Sequence, residues 1–232
     1  ARVIVLPKEK GPLEIVEMSL PDPGPYQVVV KQFASGVCHS QLHQMHNPRM
    51  GPVVLGHEST GTVLSVGSEV DHVVVGDVDK SAMEIIGKDL DAAGVPHRVD
   101  HCDVTQTSSL QAVLDSALET FGQVDFVFAN AGIGAGEAGP IWGYSEKDWQ
   151  WCFNVNVWGV VNSINVFMPY LASRSERTHL VITGSGNGAY AVLPDVPIYT
   201  ASKAAVHTIT ENLHYQVSAM ATPVKVNALF PG

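Results

Sequence analysis

Apolar residues recur along this chain with two different periods, and the change falls near residue 72. Up to that point they come in short β-like runs broken by Pro and Gly: ARVIVL, EIVEMSLPDPGPYQVVVKQF and PVVLGHESTGTVLSVGSEV. Pro and Gly punctuate turns, and runs rich in Val and Ile fit a pleated strand, so residues 1–71 are expected to be β-rich. Beyond them, apolar runs alternate with stretches of helical spacing. VVVGDVD precedes SAMEIIGKDLDAAG, HRVDHCDV precedes LQAVLDSALETFG, and VDFVFANAG is followed by a helical pattern over residues 145–171. HLVITGSG, a helix over 197–217 and the run VKVNALF close the chain. Strand alternating with helix predicts an α/β domain over residues 72–232, a parallel sheet with helices on both faces.

Composition narrows this picture. The 232 residues are 45% hydrophobic and 16% charged, which is ordinary for a folded globular chain. The formal net charge is -10 and Lys and Arg form no cluster, which argues against nucleic acid or an anionic membrane as partner. Cys38, Cys102 and Cys152 are odd in number and sit in no paired motif, so a reducing, cytoplasmic compartment is expected. No apolar run reaches membrane-spanning length, and no charged, then apolar, leader opens the sequence.

The candidate chemistry centres on Tyr199-Thr200-Ala201-Ser202-Lys203. Residues four apart on a helix share a face, so the Lys203 ammonium is expected beside the Tyr199 phenol. A neighbouring cation lowers the pKa of an acid and would make Tyr199 a base for an alcohol proton. Other motifs accompany the pair in order: Asn130-Ala131-Gly132 at the end of a strand, Asn156 within VNVWG, Ser185 within GSGNG, then Val226-Asn227-Ala228 and Pro231-Gly232. With them, residues 72–232 resemble a short-chain dehydrogenase/reductase, a Rossmann-like fold that moves a hydride between a nicotinamide cofactor and an alcohol or ketone. The spacing from Ser185 to Tyr199 is one residue longer than is commonest in that family.

The resemblance implies roles. Hydride transfer needs a base at the alcohol oxygen and a donor that orients it. Tyr199 is the expected base and Ser185 the expected donor. Lys203 would also hold the nicotinamide ribose, and Asn156 would anchor a water leading from Lys203 to solvent. Asn130, Ala131, Gly132, Pro231 and Gly232 would line the cofactor, and Asp103-Val104 would meet the adenine. Asp77, at the end of the run VVVGD, could accept hydrogen bonds from the adenosine ribose and repel an added phosphate, which favours NAD over NADP. The alternative for Asp77 and Asp103 is a turn or N-cap, for Ser185 a turn, and for Asn156 a side chain bonded to backbone.

The front of the chain departs from that family. A dinucleotide fold opens with a strand and a glycine-rich turn leading into a helix. Here Gly56-His57-Glu58-Ser59-Thr60-Gly61 lacks the third glycine, and TVLSVGSEVD after it makes a poor helix. Residues 1–71 instead resemble the start of the GroES-like domain of a medium-chain, zinc-dependent alcohol dehydrogenase, through GVCHSQLH, PVVLGHE and VGSEV. That resemblance implies Cys38, His57 and Glu58 at a zinc site, with His39, Ser40 and His43 on the cofactor and proton-relay side. Gln41 stands where that family keeps an aspartate, and a third ligand has no counterpart, so weak metal binding at most is expected. The missing first strand would be central in the sheet and leave backbone unpaired on two neighbours. ARVIVL or PVVLG could take its place, with the rest of the front packed outside; the alternative is a small β-rich domain beside an incomplete sheet.

The function expected from these residues is an NAD-linked alcohol dehydrogenase or ketone reductase, acting as a homo-oligomer paired through its two long helices. Trp142, Trp151, Tyr190 and Val192 are the candidates for an apolar substrate pocket. The competing readings are a non-catalytic chain that cannot hold cofactor, and a zinc-dependent alcohol dehydrogenase.

Overall fold

The computed structural model describes residues 2–7, 12–24, 28–35, 53–54, 59–66, 71–134 and 139–230. The residues expected at a zinc site, Cys38, His57 and Glu58, lie outside these, as do His39, Ser40, Gln41, His43, Pro231 and Gly232. The chain divides into two compact units, one formed by Ala1–Val73, Glu84–His97 and Gly232, the other by Val74–Met83 and Arg98–Pro231.

In the first unit the β-branched runs pair antiparallel. Strand β1 (Arg2–Leu6) lies between β2 (Glu14–Glu17) and β4 (Val53–Val54). Strands β3 (Val28–Ser35) and β5 (Ser59–Val66) form a separate antiparallel pair with register shifts at Val29/Val30 and Gln32/Ala34. Gly61 sits inside β5, opposite Gln32, so the stretch after GHEST is a strand and no helix starts there. Both edges of β1 are occupied by β2 and β4, so ARVIVL does not take the place of a central strand in the parallel sheet, and the Val53–Val54 part of PVVLG is spent on β1.

The α/β part begins with β6 (Val73–Asp77), α1 (Lys80–Ala92) and β7 (His97–His101). The Val73 N–H donates to the Pro96 carbonyl and the Cys102 N–H to the Asp77 carbonyl, so the two strands run parallel. Helix α2 (Thr107–Phe121) leads to β8 (Phe126–Ala129). A helical run then spans α3 (Glu146–Phe153), one wider turn (Asn154–Trp158) and α4 (Gly159–Ser173). Ser145 starts it with a capping box: its hydroxyl accepts from the Asp148 N–H while the Asp148 carboxylate accepts from the Ser145 N–H. Strand β9 (Thr178–Thr183), helix α5 (Pro197–Ala219) and strand β10 (Val224–Leu229) follow. Proline suits the first turn of α5, where its missing N–H would have had no helical partner.

Strands β8, β9 and β10 form a parallel sheet with β9 in the middle. Val127, Leu180 and Val226 stand side by side in register on one face. With Ile182 and Val224 they pack against Leu110 and Leu114 of α2, Val160, Phe167 and Leu171 of α4, and Val206 and Val217 of α5, making one core. The other face carries Phe126, Phe128, Lys225 and Asn227, all exposed. Among the described residues the helices packed on this three-stranded sheet, α2, α4 and α5, lie on one face. Among the same residues β8 pairs with β9 and β6 with β7. Among the described residues no helix is long and apolar enough to cross a membrane.

Candidate active site

The carboxyl ends of β8 and β9 lie side by side because the strands are parallel, with Ala129 paired to Ile182. The Thr183 hydroxyl donates to the Asn130 side-chain carbonyl at 2.8 Å and ties the two ends together. Asn130, Ala131 and Gly132 are exposed on the way out of β8. The next residue, Ile133, is gripped through both backbone groups by Asn156: its N–H donates to Asn156 Oδ1 at 2.8 Å, and Asn156 Nδ2 donates to its carbonyl at 2.9 Å. This two-point contact fixes which way the buried amide faces.

Asn156 sits at the middle of the wider helical turn. The Gly159 N–H reaches back to the Asn154 carbonyl, an i→i+5 bond, and such π turns gather at functional sites. Glycine is needed at 159 because α4 presses on the Asp103-Val104 turn there: a Cβ would lie 2.7 Å from Val104 Cγ2. Asn162 Nδ2, one turn on, donates to the Val104 carbonyl.

Helix α5 brings Lys203 into the same place. Its side chain is 4% exposed, and Nζ donates to the Thr183 carbonyl at 2.9 Å. A Cβ placed on Gly132 would lie 3.4 Å from both Lys203 Nζ and Asn156 Oδ1, so these two polar atoms flank the same point of the Asn-Ala-Gly turn. Tyr199 is one helical turn before Lys203, with Nζ 5.8 Å from the centre of its ring. Ser185 follows the end of β9, and its hydroxyl accepts from the Asn187 N–H at 3.2 Å. Asn187 Oδ1 in turn accepts from the Thr200 hydroxyl on α5 at 2.9 Å, which docks the serine segment onto the helix of Tyr199.

Burial pulls the Lys203 ammonium below the ordinary lysine range, and charge on Cys152 opposes this to a lesser degree. At pH values between the lowered folded value and the ordinary lysine value, the unfolded chain binds more protons than the folded one. Stability contributed at this site is therefore expected to rise with pH across that window, where the buried cation is neutralised. Thermal melts of the wild type and Lys203→Met between neutral pH and that limit test this: the wild type should gain on the variant as pH rises, and a constant difference would contradict it.

The remaining sequence candidates divide. Asp77 is exposed at the end of β6, and its Oδ1 accepts from the Asp79 N–H, a turn contact; the cap of α1 is Asp79, which accepts from the Ser81 and Ala82 N–H groups. Asp103 accepts from the Thr105 N–H and hydroxyl in a similar turn. Val192 lines a cavity of about 590 Å³ with Ile141, Leu193, Thr200 and Ala201. Trp142, Trp151 and Tyr190 do not line it; they are 86%, 54% and 75% exposed. From the sequence, Thr183, Ile133, Cys152 and Ser202 carry no site role. Ile133 acts through its backbone and Thr183 through both its carbonyl and its hydroxyl, and no residue type signals that.

A tyrosine–lysine helix, an asparagine turn and a serine segment thus meet at the carboxyl ends of a parallel sheet. The profile of that family, short chain dehydrogenase, matches residues 55–232, and the chain belongs to this family. It is 30% identical over 160 residues to 1-deoxy-11-beta-hydroxypentalenate dehydrogenase of Streptomyces exfoliatus, covering 69% of this chain and 57% of that one. Among solved structures, a short chain dehydrogenase/reductase of Burkholderia phymatum in complex with NAD is 38% identical with a TM-score of 0.65, over 68% of this chain and 55% of that one. An NAD+-bound xylitol dehydrogenase is 27% identical with a TM-score of 0.64, over 69% and 60%. The chain spans about 60% of the length of the first curated relatives it matches. The family match starts at residue 55, inside PVVLGHE, and so takes in the last part of the stretch expected from the sequence to be a GroES-like front.

Proposed function

We propose that this chain is an NAD-linked oxidoreductase acting on a secondary alcohol or its ketone, with Tyr199 as the group that takes or returns the hydroxyl proton. The observation that carries this reading is the buried Lys203, held by the Thr183 carbonyl beside Asn156 and one turn after Tyr199. A cation there stabilises negative charge on the phenol oxygen as the proton leaves the alcohol. Ser185, at the end of the same β9 strand, orients the alcohol or ketone oxygen. Asn156 spends its amide on Ile133 and shapes the turn against which a nicotinamide ribose would lie. The exposed surface of Asn130, Ala131 and Gly132 and the exposed carboxylate of Asp77 fit the two ends of a dinucleotide. When bound, the nicotinamide supplies the hydride acceptor or donor. Asp103 and Val104 would face its adenine, and Pro231 and Gly232 would close its far side. The carboxylate of Asp77 favours NAD over NADP. Apolar lining around Val192 suits an apolar substrate.

Residues 1–71 are read as a GroES-like segment and residues 72–232 as the dehydrogenase domain; antiparallel pairing of β3 with β5 supports a β-rich front. Any zinc would rest on Cys38, His57 and Glu58, and among the described residues no group of three His, Cys, Asp or Glu gathers around a point. An apolar groove of about 310 Å³ between α4 and α5, lined by Ile164, Met168, Leu213 and Val217, supports a homo-oligomer paired through these helices. The unpaired cysteine pattern supports a cytoplasmic setting.

Titration of the chain with NADH, followed by fluorescence, tests the cofactor reading. The expected result is saturable binding in the micromolar range, about 8 kcal/mol, weakened about tenfold by Asp77→Ala through lost ribose hydrogen bonds. Absence of binding up to millimolar NADH would overturn it and leave a non-catalytic chain.

A further inference from the structure

Cys152 has no role in the site described so far, yet it is fully buried between two parts of it. It lies four residues before Asn156, on the same side of the helix, and Cys152, Asn156 and Ser202 are each 0% exposed. The three side chains close a ring. Asn156 Nδ2 donates to Ser202 Oγ at 2.9 Å and lies 3.3 Å from Cys152 Sγ, and Cys152 Sγ donates to Ser202 Oγ at 3.7 Å. The Ser202 hydroxyl then donates to the Tyr199 carbonyl at 2.7 Å.

Counting donors shows why each member matters. The Asn156 amide has two hydrogens; one goes to the Ile133 carbonyl and the other is shared between Ser202 Oγ and Cys152 Sγ. A hydroxyl has one hydrogen and two lone pairs, and Ser202 uses all three, on Tyr199, Asn156 and Cys152. Burial pushes the Cys152 thiol up, so it keeps its hydrogen near neutral pH and can donate. An apolar side chain at 152 would remove the thiol's donation to Ser202 and the second acceptor of an Asn156 hydrogen, leaving Asn156 and Ser202 held on this side only by each other in a dry interior.

We propose that Cys152 is a positioning residue: through Asn156 and Ser202 it locks the Asn156 amide onto Ile133 and fixes the wider helical turn to the backbone of Tyr199. This rests on the oxidoreductase reading above for its effect on turnover, whereas its effect on Ile133 is independent of it. The ring joins the turn after β8 to the helix of Tyr199 and Lys203, so loosening it frees the Ile133 N–H and shifts the relative placement of Asn156 and Lys203.

The test compares Cys152→Ser, which keeps a small donor and acceptor, with Cys152→Val, which fills the space without either. Amide exchange of Ile133, measured by NMR or mass spectrometry on the whole chain without added cofactor, should be about tenfold faster in Cys152→Val and near wild type in Cys152→Ser. Ser202→Ala, which opens the ring from the α5 side, should accelerate the same amide. With NADH and a ketone, Cys152→Val should lower kcat about tenfold with KM little changed, and Cys152→Ser should restore it. Wild-type exchange in Cys152→Val would overturn the proposal and reduce Cys152 to packing. Equal acceleration in Ser and Val variants would overturn it as well, since size rather than hydrogen bonding would then decide. Absence of wild-type turnover would count against the oxidoreductase reading alone, because the exchange comparison still decides the role of Cys152.

Discussion

Tyr199→Phe is expected to lower turnover of an alcohol or ketone by about a thousandfold, within the range set by losing a positioned acid–base group. The fold should not change. Tyr199 is half-buried on α5, the phenyl ring remains, and the contacts that hold the helix in place belong to Ile198, Thr200, Ser202 and Val206, all buried. NADH affinity should therefore stay within a few-fold of wild type, so that the loss appears in kcat. Steady-state rates beside a thermal melt check both halves. Turnover retained within tenfold would remove Tyr199 from the chemistry, while a large fall in melting temperature would make the result one of stability.

The second large effect is expected at Gly188. Its φ is +93°, a backbone conformation that L side chains rarely adopt, and a Cβ there would lie 2.6 Å from both the Ala204 nitrogen and the Thr200 carbonyl oxygen. Both are backbone atoms of α5, so no side-chain rotation relieves the clash. Gly188→Ala combines strained backbone with overpacking, together about 3 kcal/mol. The cost should fall on activity too. Gly188 is where the segment bearing Ser185 touches the helix bearing Tyr199, and the Asn187–Thr200 hydrogen bond beside it would be pulled apart. Urea unfolding should show a lower midpoint, and the residual folded enzyme a lower kcat. An unfolding free energy within a few tenths of a kcal/mol of wild type would mean that the segment moves freely away from α5, and that Ser185 is not held by this contact.

Where the sequence reading diverged from the structure, the cause lies in long-range pairing. Apolar character left two places open to ARVIVL and PVVLG, a stand-in for the first strand or a separate β-rich domain. Hydrogen-bond partners decide the matter, and β1 finds them in β2 and β4. Strand–helix alternation likewise does not say which face each crossover covers. Val127, Leu180 and Val226 face the helices, while Phe126 and Phe128, no less apolar, face out. Trp142, Trp151 and Tyr190 were singled out as large aromatics in the right part of the chain, and size alone does not turn a side chain inward.

The local periods were decisive on their own. They set the helix of Tyr199 and Lys203, found at Pro197–Ala219 against an expected 197–217, and the capped run from Ser145 that carries Asn156. They also made the stretch after Gly61 a poor helix, and β5 is found there. These features depend on residues three or four apart, or on alternation along a single strand, and a chain carries that information in any short window. The tertiary structure alone decided that Lys203 reaches the Thr183 carbonyl, that Asn156 closes on Ile133, and that Cys152 and Ser202 join them. Each of these contacts links residues 20 to 50 apart in sequence. They exist because parallel strands bring their carboxyl ends to one edge and the crossover helices return over one face. A buried amide, thiol or ammonium there must then find its hydrogen-bond partners among whatever the fold has gathered.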